Sequence, residues 1–124
     1  MTILVTGATG LLGNNIVRLL LEKGEAVRVL VRENADERPL EGLEVERITG
    51  DIREAERVQA ACQGTRAVIH SAALVTIGWT RLEEARAINV IGTQHVAAAA
   101  RAANAKLVHV SSVDAMAPGR RDQP

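Results

Sequence analysis

Tyrosine and phenylalanine do not occur in the 124-residue sequence, and Trp79 is its one aromatic residue. A core without large rings has to be assembled from alanine, valine, leucine and isoleucine, and chemistry that needs a phenolic acid finds no side chain for it here. The single cysteine, Cys62, excludes an internal disulfide and makes a reducing, cytoplasmic setting the expectation. An excess of one charge is also missing, because fifteen basic residues balance fifteen acidic ones. A nucleic acid or an anionic membrane surface calls for a positive excess, so neither is an expected partner. No apolar run approaches the roughly twenty residues of a membrane span, and the first strand-like run begins by Ile3, which leaves no space for a secretory leader. This length suits one domain.

What the chain does have is a regular alternation of β-branched runs and helical patterns. The runs ILVT (3–6), AVRVLV (26–31), LEVERI (43–48), AVIHS (67–71) and KLVHVSS (106–112) predict five strands. Between them, LLGNNIVRLLLEKG (11–24) predicts a helix with Leu12, Ile16, Leu19 and Leu20 on its apolar face and Gly24 closing it. Residues 53–62 predict a short helix and residues 82–103 a long alanine-rich one, while RENADERPLEG (32–42) reads as a loop. Strands alternating with helices imply an α/β fold of the doubly wound, Rossmann-like kind, a parallel sheet of about five strands with helices on both faces.

Between the first strand and the first helix stands TGATGLLG (6–13), with Gly7, Gly10 and Gly13 at even spacing. Glycine costs folding entropy wherever it is placed, so three in eight residues point to a backbone that turns sharply and lets something come close. The helix that follows aims its unpaired N–H groups and the positive end of its dipole at the space above the turn, which suits a pyrophosphate. Gly7 permits the tight turn, Gly10 the approach of backbone to phosphate, and Gly13 the close packing of helix and strand.

TGATGLLG resembles the TGxxGxxG cofactor motif of the extended short-chain dehydrogenase/reductases, the NAD-dependent epimerase/dehydratase group that includes dihydroflavonol reductases and sugar nucleotide epimerases. GDI (50–52), HSAAL (70–74), INVIGT (88–93) and VSS (110–112) resemble further motifs of that family, in family order across essentially the whole chain. The resemblance implies dinucleotide contacts from Gly7, Thr9, Gly10, Leu11, Leu12 and Gly13 in the turn, and from Asp51 and Ile52 after the third strand. It implies further contacts from Ser71, Ala72, Ala73 and Leu74 after the fourth strand, and from Asn89 and Ser111. Ser112 matches the catalytic serine or threonine that positions the substrate. The tyrosine and lysine that complete the family's proton transfer would be expected some tens of residues beyond Ser112, so residues 1–124 read as the N-terminal, cofactor-binding part of a longer enzyme, inactive by itself.

The same family suggests the cofactor. NAD-preferring members carry an acidic residue at the end of the second strand, and this chain reads Val31-Arg32, which suits the 2′-phosphate of NADP, with NAD as the alternative. Glu33 offers Arg32 a surface ion pair as the competing role. Asp51 could equally cap the helix after it, Asn89 could be structural, and Ser111 and Ser112 could satisfy a turn. His70, His95 and His109 lie on different elements, so packing or surface positions are expected and no metal. Ile77 and Trp79 read either as a hydrophobic lid or as cover for a core edge, and Cys62 as a small buried hydrophobe. The expected function is carbonyl or hydroxyl redox chemistry on a small molecule, or epimerisation, in a chain able to form a homo-oligomer. The alternative is a non-catalytic dinucleotide-binding sensor.

Overall fold

The structure is a computed structural model that describes residues 1–116, 119 and 122. Five strands, β1 (Thr2–Thr6), β2 (Val27–Val31), β3 (Glu46–Thr49), β4 (Thr65–His70) and β5 (Lys106–His109), pair in parallel in the order β3-β2-β1-β4-β5. Helices α1 (Leu11–Glu22), α2 (Ala55–Cys62), α3 (Leu82–Arg86) and α4 (Thr93–Ala102) make the crossovers, and α3 runs into α4 through a π-helical stretch, Ala87–Gly92.

The strands alternate their apolar residues between two cores. Ile3, Val5, Val27, Val29 and Val31 face one side, where they meet Val17 of α1 and Leu40. Leu4, Leu30 and Val68 face the other and meet Val58 and Cys62 of α2 and Val96 and Ala99 of α4. Parallel strands buried on both faces need such near-continuous apolar runs, and branched aliphatic side chains fill both layers without any ring.

Four local expectations need correction. β3 begins at Glu46 rather than Leu43, although Leu43 and Val45 still pack on the α1-side core from the preceding loop. The segment 32–42 is not wholly loop: a single turn of 3-10 helix, Arg38–Leu40, places Leu40 completely out of water. β5 stops at His109 instead of running to Ser112. On α1 the buried stripe is centred on Gly13 and Val17, which leaves Leu12 and Leu19 half exposed, at 50% and 52%. The last difference follows from pitch, since at about 100° per residue a stripe through 13, 17 and 20 leaves 12 and 19 outside it.

Candidate functional site

At the C-terminal ends of β1, β2 and β4 the structure encloses a cleft of about 290 Å³. The chain order reverses here, with β2 on one side of β1 and β4 on the other, the place where open α/β sheets take their ligands. The turn after β1, the end of β2 with Arg32, the Gly50–Ile52 segment after β3 and the Ser71–Leu74 segment after β4 line it.

The glycine turn is built by contact as well as by conformation. Gly7 has φ +72°, and a Cβ there would stand 2.7 Å from the backbone nitrogen of Ala72. Gly13 is closed off more severely, since its Cβ would fall 2.0 Å from the carbonyl oxygen of Gly7. Helix α1 therefore rests directly on the turn that precedes it. Gly10 differs: its added Cβ would meet only the Gly7 oxygen, at 3.4 Å, and its backbone is extended, with φ −83° and ψ 171°. The space beside Gly10 is open cleft.

The start of α1 carries an unanswered demand for negative charge. Among the described residues, the N–H groups of Leu11, Leu12 and Gly13 meet no backbone acceptor, no side chain caps the helix, and no acidic residue stands in its first turn. Three unpaired donors at the positive end of a helix dipole fit a phosphate group of a dinucleotide. Leu11 and Leu12 offer it backbone only, since their side chains are 87% and 50% exposed.

Behind the cleft runs a buried chain of hydrogen bonds. His70 is 1% exposed, and its Nδ1 lies 2.7 Å from the Thr6 hydroxyl and its Nε2 3.0 Å from the Thr93 hydroxyl. Thr93 donates its own proton to the carbonyl of Asn89 at 2.7 Å, so it accepts from His70 Nε2–H. Nδ1 is then an acceptor, and Thr6 donates to it while accepting from the Ala72 N–H at 3.2 Å. Every member is satisfied with a neutral, Nε2-protonated imidazole. Burial pushes the His70 pKa down to about 4, and the neighbouring His109 ring, stacked with centroids 5.5 Å apart, pushes the same way. This network joins the ends of β1 and β4 to the π-helical stretch, and with it fixes the wall formed by Ser71 and Ala72. A histidine between two threonines was not visible as a unit in the sequence, because its members are dispersed over residues 6, 70 and 93.

Asn89 continues the same bracing. Its side-chain amide donates to the Leu74 carbonyl at 2.9 Å, and its side-chain oxygen accepts the Leu74 N–H at 2.7 Å. It pins the segment that lines the cleft without lining the cleft itself. His95 plays a similar part on the other side, with Nδ1 2.8 Å from the Ile52 carbonyl oxygen, while the Ile52 side chain packs where a Cβ on Gly92 would stand.

Asp51 stands at the cleft but does not cap α2, whose N-cap is Glu54 and has no side-chain cap. The Asp51 carboxylate accepts from the Arg53 N–H at 2.9 Å and from the Arg53 guanidinium at 3.0 and 2.8 Å. That guanidinium holds the carboxyl below its ordinary pKa. The Asp51 N–H meanwhile donates to the Glu54 carboxylate at 2.9 Å, so these bonds close the turn that leads into α2. Arg32 is exposed at the cleft edge and, among the described residues, forms no ion pair, with Glu33 or any other carboxylate. It also lines an adjoining polar hollow of about 420 Å³, which holds the three cations Arg32, Arg53 and Arg57 and the three carboxylates Glu33, Asp51 and Glu54. Arg57 is the member that sequence reasoning missed. Its stem lies against Gly50, where a Cβ would come within 2.8 Å of it.

Of the sequence-predicted residues, Gly7, Thr9, Gly10, Arg32, Asp51, Ile52, Ser71, Ala72, Ala73 and Leu74 come together around the cleft. Ser111 and Ser112 do not line it. Ser112 caps its own 3-10 turn, accepting from the Asp114 N–H at 3.2 Å and donating to the Asp114 carboxylate at 3.3 Å.

This chain belongs to the NAD dependent epimerase/dehydratase family, which matches it over residues 3–124. It is 44% identical over 117 residues to sterol demethylase protein B of Methylococcus capsulatus, covering 94% of this chain and 36% of that protein. It is 39% identical over 114 residues to ceramide reductase of Caulobacter vibrioides, covering 92% of this chain and 35% of that one. A solved short-chain dehydrogenase/reductase superfamily protein from Agrobacterium tumefaciens with bound NAD superposes with a TM-score of 0.79 at 30% identity, over 100% of this chain and 38% of that chain. The chain thus spans about a third of the length of the relatives it matches.

Proposed function

We propose that residues 1–124 form the dinucleotide-binding portion of an oxidoreductase that transfers hydride between NADP and a carbonyl or hydroxyl carbon of a small molecule. The observation that carries this reading is the trio of unpaired N–H groups at Leu11, Leu12 and Gly13, opening beside Gly10 into a cleft of dinucleotide-binding topology. In it the Leu11–Gly13 N–H groups hold the pyrophosphate, Thr9 lines the same turn, and Asp51 and Ile52 flank the adenine. The segment Ser71–Leu74, held by Thr6 and Asn89, lies along the rest of the cofactor. The nicotinamide, when bound, supplies or accepts the hydride; the chain's own contribution is to bind it, orient it and hold the wall beside it rigid.

Arg32 and Arg57 support NADP rather than NAD. Neither forms an ion pair among the described residues, and both line the hollow next to the ribose side of the cleft. A planar guanidinium without a carboxylate partner is the natural receptor for a 2′-phosphate. The test is a pair of calorimetric titrations: NADP is expected to bind the tighter, and tighter binding of NAD overturns the assignment.

Ser112 is the residue for substrate positioning on this reading, with the phenolic acid and its lysine contributed outside these 124 residues, which contain no tyrosine. Carbonyl reduction is favoured over nucleotide-sugar epimerisation by relatives such as the ceramide reductase. The engagement of Ser112 with Asp114 favours a second reading, a binding module that senses the dinucleotide without turnover. NADPH oxidation against a panel of ketones, measured on a protein that includes the residues beyond these 124, separates the two. A cytoplasmic setting, a homo-oligomer formed through the outer edge of β5, and no nucleic-acid partner belong to the same proposal, on the single buried Cys62, the unpaired strand edge and the balanced charge.

A further inference from the structure

Among the described residues, the loop between β4 and α3 holds the largest concentration of apolar side chains that the fold leaves in water. Val75, Ile77 and Trp79 are 89%, 101% and 85% exposed, and Leu82, at the start of α3, is 59% exposed. None of them belongs to either core, so the cover for a core edge that Ile77 and Trp79 could have supplied is not their role. The loop is anchored where the cleft is. It leaves from Leu74 and returns to Ile88, both cleft-lining residues, and its base is closed by the two hydrogen bonds between Asn89 and Leu74. Residues 71–80 carry no charge, and the first cation beyond them, Arg81, is held by both oxygens of Glu84 at 2.8 and 2.9 Å.

We propose that the Val75–Leu82 loop is a specificity element that closes over a lipophilic substrate, a ketone or alcohol with a long hydrocarbon body, and selects it against nucleotide sugars. The inference rests on the dinucleotide reading of the cleft. Apolar side chains standing singly on a surface are ordinary, but four on one short loop beside a ligand cleft mark a surface that is completed by a ligand. A hydrocarbon body gains by covering Val75, Ile77 and Trp79 once its oxygen-bearing carbon lies in the cleft. A nucleotide sugar brings a pyrophosphate, for which this loop has no free cation and no charge of its own.

Trp79 makes the test simple, because it is the one aromatic residue and its emission reports on this loop alone. Emission excited at long wavelength is followed in the 124-residue chain, with NADP present, during titration with 2-alkanones of increasing length and with UDP-glucose; binding of NADP is measured separately by calorimetry. The emission is expected to shift to the blue and saturate with the longer ketones, the half-saturating concentration falling about fourfold for each added methylene. Ile77→Ser, at a fully exposed position, is expected to raise that concentration about tenfold. A response independent of chain length, no response, or a response to UDP-glucose instead, in protein that binds NADP, overturns the proposal. Failure to bind NADP overturns the reading beneath it.

Discussion

Gly13→Ala is the smallest change that tests how the cofactor turn is held. Its methyl group would lie 2.0 Å from the Gly7 carbonyl oxygen, 2.6 Å from the Gly7 carbonyl carbon and 2.9 Å from the Ser71 hydroxyl. Two of these three are backbone atoms in a turn already committed to φ +72° and to contact with Ala72, so they cannot swing aside as the end of a long side chain would. Helix α1 has to part from the turn. Overpacking of this kind costs roughly 1–3 kcal/mol and at a backbone obstacle sits at the upper end. Alanine returns up to about 1 kcal/mol through its better helix propensity, which leaves a net loss of about 2 kcal/mol. For a domain of this size that lowers the thermal midpoint by roughly 6–10 °C. Thermal unfolding followed by circular dichroism measures it, with Gly10→Ala as the contrast. There the nearest atom is 3.4 Å away, and the loss should stay under about 1 kcal/mol. A Gly13→Ala chain that melts at or above the wild type refutes the account of how α1 is seated.

Two further outcomes follow from the site. His70 titrates near 4 in the folded chain against 6.5 for an ordinary histidine, so between those values the unfolded chain binds more protons. Stability therefore falls as pH drops through that window, by at most about 3 kcal/mol, and levels off below it; denaturant unfolding across pH 7 to 4 measures the slope, which His70→Asn should abolish. Arg32→Ala is expected to remove most of a 10- to 100-fold preference for NADP over NAD, the worth of one charge-assisted phosphate contact at about 1.5–3 kcal/mol. Paired calorimetric titrations of wild type and variant read it directly, and an unchanged ratio would remove Arg32 from the ribose side of the cleft.

Much of the architecture was legible because parallel strands leave unbroken β-branched runs, and ILV, VRVLV and AVI lie where β1, β2 and β4 form. The glycine turn was legible for a related reason: few other uses explain three glycines between a strand and a helix. β3 was misplaced because Leu43 and Val45 alternate like a strand yet reach the core from a loop, and alternation alone does not distinguish the two. The hydroxyl–imidazole network, the Asn89–Leu74 clasp and the neighbourhood of Arg57 were hidden because each joins residues distant in sequence. Their geometry exists only once β1, β4 and the π-helical stretch are side by side. Leu40, inside a segment of charges and a proline, was hidden by its neighbours' polarity.

Calorimetric titration of NADP into the wild-type chain and into Gly10→Val tests the central claim most directly. Position 10 is extended and a Cβ there meets only the Gly7 oxygen, at 3.4 Å, so a side chain at this position is directed at the space where the Leu11–Gly13 N–H groups would meet a phosphate. The account predicts saturable binding to the wild type and none to Gly10→Val, with nearly the same circular dichroism and a thermal midpoint lowered by only a few degrees, as the loss of an N-cap glycine requires. Equal affinity of the two folded chains for NADP would contradict the assignment of this turn as the phosphate cradle.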